Sequence, residues 1–408
     1  MRSNSGGLGM DVRSCHGSLA VKPYALALAS SVLLCSCSES VTAVPVAAQV
    51  PGWRTAGLEA PQRGEGDTQW VNVQAAGTRL VAMNSVGQLW VSAGYSFGWT
   101  RVSWSNPGTP YSIRTDNDSL WVGTEKPSRL YNAKIGEWHW RDLQIPVPDT
   151  APITIVGRFK GRTLAVGAAY QGNYTFMFDN GQWADWRVGQ PNSSPYRLLE
   201  VGDTLWAGTW ESGLWYRVWG EATWKRQPAA AITMFIPGTA YVDTTFAIRG
   251  VAWHRGSLWV AEWGGETTEM PGGKAPYIAA RNCPPNSVDS SCLRDLPVNL
   301  LTMISWKDRL ITAGFFGSSG HVFDDSSRHW IPLEDSWCWN NYADCGGTRT
   351  RDLVGLGDTV YAVTNRFIMK FPLSELPKMS PALEARYHWP TDTSWKNKYL
   401  YVKNPPHQ

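Results

Sequence analysis

Glu262, Glu266 and Glu269 stand within eight residues of one another. Paired carboxylates can divide acid and base work in glycoside or uronic-acid chemistry, which makes Glu262 and Glu266 the candidates for a catalytic role. His254 is close in sequence. It stands just before a turn at the far end of its strand and faces the opposite rim, so it does not pair with Glu262. The simpler reading is of solvated loop glutamates and a surface histidine. Arg197, Arg249 and Arg351 fall in strand-like runs where a guanidinium could meet an anion, although a buried or paired structural arginine accounts for them as well. His139, His321, His329 and His388 are scattered and suggest no metal, and no cofactor is expected. The chain contains no HExxH, no GxSxG, no phosphate-cradling glycine loop and no EF-hand loop.

The composition narrows the setting. The chain has 408 residues, 17% charged, with a net charge of +3. That charge is too small to argue for nucleic acid or an anionic membrane surface. Glycine, proline, serine and threonine replace the missing polarity, which suits short strands and frequent turns. Lys22 precedes the apolar run "YALALASSVLL" (24–34), too short to span a bilayer and of the length of a signal-peptide core. Met1 and Met10 are both possible starts. "Leu34-Cys35-Ser36-Cys37" resembles a bacterial lipobox, with Cys37 as the residue to be lipidated and Cys35 as a departure. Cleavage after "Val46-Ala47-Ala48" is the alternative. Ser38 after the modified cysteine favours, by the same resemblance, the outer membrane. The expected division is a lipoprotein signal peptide over 1–36, a lipidated cysteine and tether over 37–52, and a folded domain over 53–408. Four further cysteines form two close pairs, Cys283 with Cys292 and Cys338 with Cys345, as expected of two local disulfides in an oxidising compartment. A zinc site is the alternative, but neither pair has a histidine at ligand spacing.

The elements that must position these groups form a repeat. "RLVAMN", "SLWVGT", "TLAVGA", "TLWAGT", "SLWVAE", "RLITAG" and "TVYAVT" place an apolar residue at 80, 120, 164, 205, 258, 310 and 360, in steps of 40, 44, 41, 53, 52 and 50 residues. Each hexamer follows a strand-like run that ends in a glycine, aspartate or asparagine turn. After it come a short loop, a third run and a fourth that carries tryptophan. Four antiparallel strands per ~40–50 residues is the unit of a β-propeller, so the fold expected is all-β, with seven four-stranded blades in a closed ring. Either "WRTAG" (53–57) or "KYLYV" (398–402) supplies the last strand. In "LWAGTWESGLWYRVWGEATWKRQ" (205–227), Trp206, Trp215 and Trp224 then pack between blades, and only Trp210, at a loop, is left for recognition.

The tandem "LWVGT…GLWYR" pattern resembles the two-component-regulator propeller repeats of bacterial sensor ectodomains. The "G-x-x-T-W" ending at Trp224 resembles the sialidase-type Asp-box, in a degenerate form with Trp219 in place of the aspartate. Asp-box repeats occur in seven-bladed glycan-active propellers and in some assembly-factor lipoproteins. "SLWVAEWGG" is similar to a strand of propeller lyases that use a histidine and a glutamate. These resemblances speak for architecture, because such repeats record packing.

In such a ring the loops between second and third strands open on one face. They bring Glu125, Lys126, Tyr170, Trp210, Glu211, Glu262, Trp263, Phe315, Phe316 and Arg366 towards one rim. Aromatic faces there can stack on a sugar or a peptide while carboxylates and Arg366 fix its orientation. Loop 261–276, followed by the proposed Cys283–Cys292 staple, suits a recognition element. The function expected is a non-catalytic binding or scaffold module of the cell envelope. It would be monomeric, held to the membrane by its lipid alone, and would recognise a protein partner or an envelope glycan. The alternatives are a carbohydrate-active hydrolase or lyase that uses the loop carboxylates, and an accessory sensor for a membrane partner.

Overall fold

In a computed structural model, the structure describes residues 54–59, 68–94, 96–169, 172–187, 193–210, 212–227, 234–236, 239–241, 247–262, 267–273, 278–280, 300–314, 320–333, 350–364 and 367–378. The chain divides into two units, 1–50 and 51–408, and every described residue lies in the second.

Seven four-stranded antiparallel sheets follow one another in this unit. Blade 1 is β2 (Trp70–Ala76), β3 (Arg79–Asn84), β4 (Leu89–Ala93) and β5 (Ser96–Arg101). Blade 2 is β6 (Thr109–Asp116), β7 (Ser119–Glu125), β8 (Leu130–Lys134) and β9 (Arg141–Asp142). Blade 3 is β10 (Ile153–Phe159), β11 (Arg162–Ala169), β12 (Gly172–Asp179) and β13 (Gln182–Asp185). Blade 4 is β14 (Pro195–Val201), β15 (Thr204–Thr209), β16 (Leu214–Val218) and β17 (Lys225–Arg226). A separate hairpin follows, β18 (Met234–Ile236) with β19 (Thr239–Tyr241), which accounts for the longer step in the repeat at this point. Blade 5 is β20 (Ile248–His254), β21 (Ser257–Glu262), β22 (Thr267–Pro271) and β23 (Ile278–Ala280). Blade 6 is β24 (Leu300–Trp306), β25 (Arg309–Gly314), β26 (His321–Asp324) and β27 (His329–Pro332). Blade 7 is β28 (Asp352–Leu356), β29 (Thr359–Val363) and β30 (Phe367–Pro372), completed by the N-terminal β1 (Arg54–Glu59). The choice left open by the sequence falls to the segment containing "RTAG": Arg54 lies opposite Lys370 and Glu59 opposite Phe367.

The first strands of neighbouring blades touch around the whole ring, β2 against β28 included. The apolar core is correspondingly divided into seven clusters, one at each junction between blades. Between blades 3 and 4, for example, Phe159, Leu164 and Trp186 meet Leu205, Ala207 and Trp224. Where the fifth residue of the hexamer is glycine, as in blades 2 and 4, its lack of a side chain has a physical reason. A Cβ on Gly123 would stand 2.5 Å from Ile153 of the next blade, and one on Gly208 would stand 2.7 Å from Ile248. Tryptophans also hydrogen-bond across the junctions. Trp224 Nε1 donates to the Trp186 carbonyl at 2.9 Å, and Trp330 Nε1 donates to Thr267 Oγ1 at 2.7 Å.

Each first strand turns into the second through two residues, the first of which takes a left-handed backbone conformation. This matches the twist that a two-residue hairpin needs. Gly77, Asn117, Gly202 and Gly357 suit that conformation, whereas Lys160, Arg255 and Lys307 do not. Each of these three basic residues pairs with an acid of the following blade: Lys160 with Asp203 at 2.5 Å, Arg255 with Asp325 at 3.2 Å, and Lys307 with Asp358. The lower rim is thus laced between blades, each exposed pair contributing about 0–1 kcal/mol.

Candidate functional site

The upper rim is where the first strands begin and the second strands end. There the pairing slips by one residue in six of the seven blades. Trp70 lies opposite Asn84 but Asn72 opposite Met83, and Pro195 lies opposite Thr209 but Arg197 opposite Gly208. The same slip occurs in β6, β10, β20 and β24. The extra residues are Val71, Tyr111, Thr154, Tyr196, Arg249 and Leu301. A bulge leaves one residue out of the ladder and re-aims its side chain, so the repeat turns one extra side chain per blade out of register at the upper mouth. Blade 7 runs without the slip.

Two of these side chains, Tyr196 and Arg249, build a compact surface with Trp210. Tyr196 and Trp210 meet with ring centroids 5.5 Å apart, tilted by 48°. The Arg249 guanidinium lies 4.0 Å from the Tyr196 ring centroid and 4.1 Å from that of Trp210. Such contacts contribute ~0.5–2 kcal/mol each and hold a flexible arginine in place. The Trp210 N–H donates to the Ser194 carbonyl at 3.2 Å, which ties the loop to the start of β14. Tyr111 is 46% exposed and Tyr196 39% exposed, unusual values for large aromatics. Crowding at the mouth raises the pKa of the Tyr111 hydroxyl, and the nearby Glu125 carboxylate and Tyr196 add to the rise. Tyr111, Tyr196, Glu125, Trp210 and Arg249 therefore belong to one neighbourhood.

Below the mouth, polar groups of opposite blades meet across the axis. Arg197 Nη2 donates to Asp352 Oδ1 at 2.5 Å, to Thr302 Oγ1 at 3.2 Å and to the Arg351 carbonyl at 3.4 Å. It thereby joins blade 4 to blades 6 and 7. The Asp352 side chain is only 3% exposed, and it also accepts the backbone N–H groups of Val73 at 3.3 Å and Leu353 at 3.0 Å. Arg351 Nη2 donates to Gln69 Oε1 at 2.5 Å, across the junction of blades 7 and 1. Arg114 faces the same space. Its pKa is lowered by desolvation and by the Arg197 and Arg158 charges, against the pull of Asp352.

The lower rim carries His254, and the expectation of a surface histidine is corrected there. The His254 side chain is 2% exposed, with Nδ1 3.0 Å from Ser305 Oγ and Nε2 3.2 Å from Asp325 Oδ1. These partners belong to blade 6, and the closed setting makes the three groups a fastening between blades. The far-end position of His254 is as expected: it lies opposite Ser257, while Glu262 lies opposite Ile248. Glu269 is not a solvated loop residue either. It is buried in β22 and paired with Arg328, whose guanidinium lies 4.9 Å from the Phe323 ring centroid. Among the described residues no three of His, Cys, Asp and Glu group as metal ligands.

Of the residues named from sequence, Trp210 and Glu125 fall at the upper mouth, and Lys126 follows Glu125 in the same loop with an exposed side chain. Arg197 and Arg351 are paired structural arginines, and Arg249 stacks on aromatics. Tyr170, Glu211, Trp263, Glu266, Phe315, Phe316, Arg366, Cys37, Cys283, Cys292, Cys338 and Cys345 lie outside the described residues, as does the side chain of Glu262. Sequence reasoning missed Tyr111, Tyr196, Arg114 and Asp352. One signal was present: "TPYSIR" (109–114) and "SPYRLL" (194–199) share Pro-Tyr at the same place in the repeat. Proline cannot donate to a ladder, so it marks the irregular start of a strand.

No family model matches the chain, and no curated protein matches it in sequence. Solved structures do match in fold. YCF48 from Cyanidioschyzon merolae aligns with a TM-score of 0.56 at 11% identity, over 79% of this chain and 99% of that one. A structure of YCF48 bound to D1 peptide aligns with a TM-score of 0.55, also at 11% identity, over 79% of this chain and 98% of that one. The extracellular domain of BT4673, a putative hybrid two-component system from B. thetaiotaomicron, aligns with a TM-score of 0.55 at 13% identity, over 79% of this chain. This chain spans 40% of the BT4673 chain's length. The last similarity agrees with the resemblance to sensor-ectodomain propellers.

Proposed function

We propose that this protein is a non-catalytic binding scaffold of the cell envelope that recognises a protein partner on its upper face. The observation that carries the reading is the cluster of Tyr196, Trp210 and Arg249, with the exposed Tyr111 and Glu125 beside it. Exposed aromatics around a stacked arginine are the composition of protein-binding hot spots. The fold neighbours support the same class, since YCF48 has been solved with D1 peptide and BT4673 contributes an extracellular domain. No helix among the described residues is long and apolar enough to cross a membrane. In this reading Cys37 carries a lipid that holds the propeller at the membrane, through the tether 38–52. The disulfides Cys283–Cys292 and Cys338–Cys345 stiffen two loops.

One experiment tests the whole reading. Cells are labelled with palmitate, and wild type, Cys37→Ser and Trp210→Ala are recovered from detergent-extracted envelopes with whatever they hold. We expect label on wild type and Trp210→Ala only. A specific protein should be retained by wild type and reduced at least tenfold on Trp210→Ala. Equal label on Cys37→Ser would remove the anchor. Equal retention by both propellers, or elution of the retained material by a free glycan, would overturn the protein-binding surface.

A further inference from the structure

The arginines of the ring do not end at the mouth. Four lie on first strands, Arg114, Arg158, Arg197 and Arg249, and Arg351 immediately precedes a fifth strand. Their neighbours differ. Arg158 is paired with Asp116 of the adjacent blade, Arg197 with Asp352, and Arg249 is stacked on Tyr196 and Trp210. Arg351 donates to Gln69. The Arg114 side chain has no hydrogen bond or ion pair among the described residues. Arg197 and Arg158 are close enough to disfavour its charge. The one acid that favours it, Asp352, already accepts three donors.

A guanidinium without a counter-charge leaves its five N–H donors, a planar fork that matches a carboxylate, open to a ligand. Arg114 is exposed on an innermost strand, between the buried Ile113 and Thr115, so water and small solutes reach it. It stands three residues below Tyr111 on β6, or about 10 Å at the rise of an extended strand. A carboxylate at the tip of an extended segment that enters between Tyr111 and Tyr196 can span that distance.

We propose that the axial space of the propeller is a carboxylate site, in which Arg114 is the principal donor and Arg197, held by Asp352 and Thr302, is the second positive group. The carboxylate belongs either to a free small acid or to the end of a docked peptide. The site goes beyond the partner-binding reading, and its free-acid form does not depend on it. An occupying carboxylate supplies the negative charge that the ring lacks and bridges blades 2 and 4, so occupancy also stabilises closure.

The test uses the full-length protein in detergent, with thermal midpoint and calorimetric titration as readouts. The probes are succinate, its neutral analogue succinamide, and a glycine-serine hexapeptide with a free or an amidated C-terminus, all at matched ionic strength in chloride. We expect saturable stabilisation by succinate or by the free-acid peptide and none by succinamide. Arg114→Gln should weaken binding at least tenfold while it folds normally, since no contact is lost. Arg114→Lys should recover only part, because it keeps the charge without the fork. Loss of peptide binding on amidation, with tighter binding than succinate, assigns the site to a chain end; succinate binding alone assigns it to a free acid. Absence of any saturable effect beyond chloride, equal effects of succinate and succinamide, or unchanged binding in Arg114→Gln would overturn the proposal. Trp210→Ala should leave succinate affinity unchanged, so failure of the partner surface and failure of this site remain separable.

Discussion

At the scale of single residues, chemical type is a poor guide to role until packing is known. Five tryptophans between 206 and 224 look like an aromatic platform, yet Trp206 packs with blade 5, and Trp215, Trp219 and Trp224 pack with blade 3. Trp210 alone reaches the mouth, where it shares Arg249 with Tyr196. The histidines make the same point. His254 sits between two polar partners, whereas His321 is buried with no partner for Nδ1 among the described residues, and desolvation lowers its pKa to about 3. The sign of the consequence follows. His321 stays neutral in the fold while the unfolded chain takes up a proton near pH 6.5, so its contribution to stability is present above that pH and is lost as pH falls towards 3. Between pH 6.5 and 4.5 the loss from this group amounts to about 2 kcal/mol. In urea unfolding at those two pH values, His321→Leu should lose about that much less than wild type. An equal loss in both proteins would show that His321 is not held neutral.

At the scale of elements, two features recur with the period of the repeat. The two-residue turns of the lower rim were legible, because glycine, asparagine and aspartate announce them. The bulges of the upper rim were not. A one-residue slip is invisible where a strand lacks a strict alternation, and β6 and β14 mix buried, half-buried and exposed positions. That slip is what moved Tyr111, Tyr196 and Arg249 out of the expected alternation, while Arg114, on the regular part of β6, went unnoticed among ordinary strand residues. The junctions between blades are tight enough to test. Gly123 has ordinary backbone angles, so Gly123→Ala acts through packing alone, with its new Cβ 2.5 Å from the Ile153 side chain. We expect a loss of ~1–3 kcal/mol in urea unfolding. A crystal structure of the variant should show Ile153 and Ser112 pushed away from the new Cβ, and an unmoved pair would show that the clash is not the cause.

At the scale of the whole molecule, closure is the dominant feature: seven apolar clusters lie between blades, and one of them joins blade 7 to blade 1. Blade 7 takes its outer strand from the far end of the chain, β1, which covers the edge of β30. Removal of 54–59 leaves that edge open to other chains. The shortened protein should lose thermal stability and form concentration-dependent oligomers by light scattering, and a synthetic peptide spanning 51–60 should reverse both. A monomer with an unchanged midpoint would mean that β1 does not close the ring. The blade count, the order of strands within a blade, the face on which the loops open and the packing role of most tryptophans can all be read from the chain before it folds. Each of these is written in local patterns that recur seven times. Which terminal segment completes blade 7, which strand residues bulge towards the mouth and which charges meet across the axis emerge only in the folded ring. Arg197 and Asp352 are 155 residues apart, and no local pattern links them. They meet because the ring closes, which makes the polar centre of the propeller a property of closure rather than of any one blade.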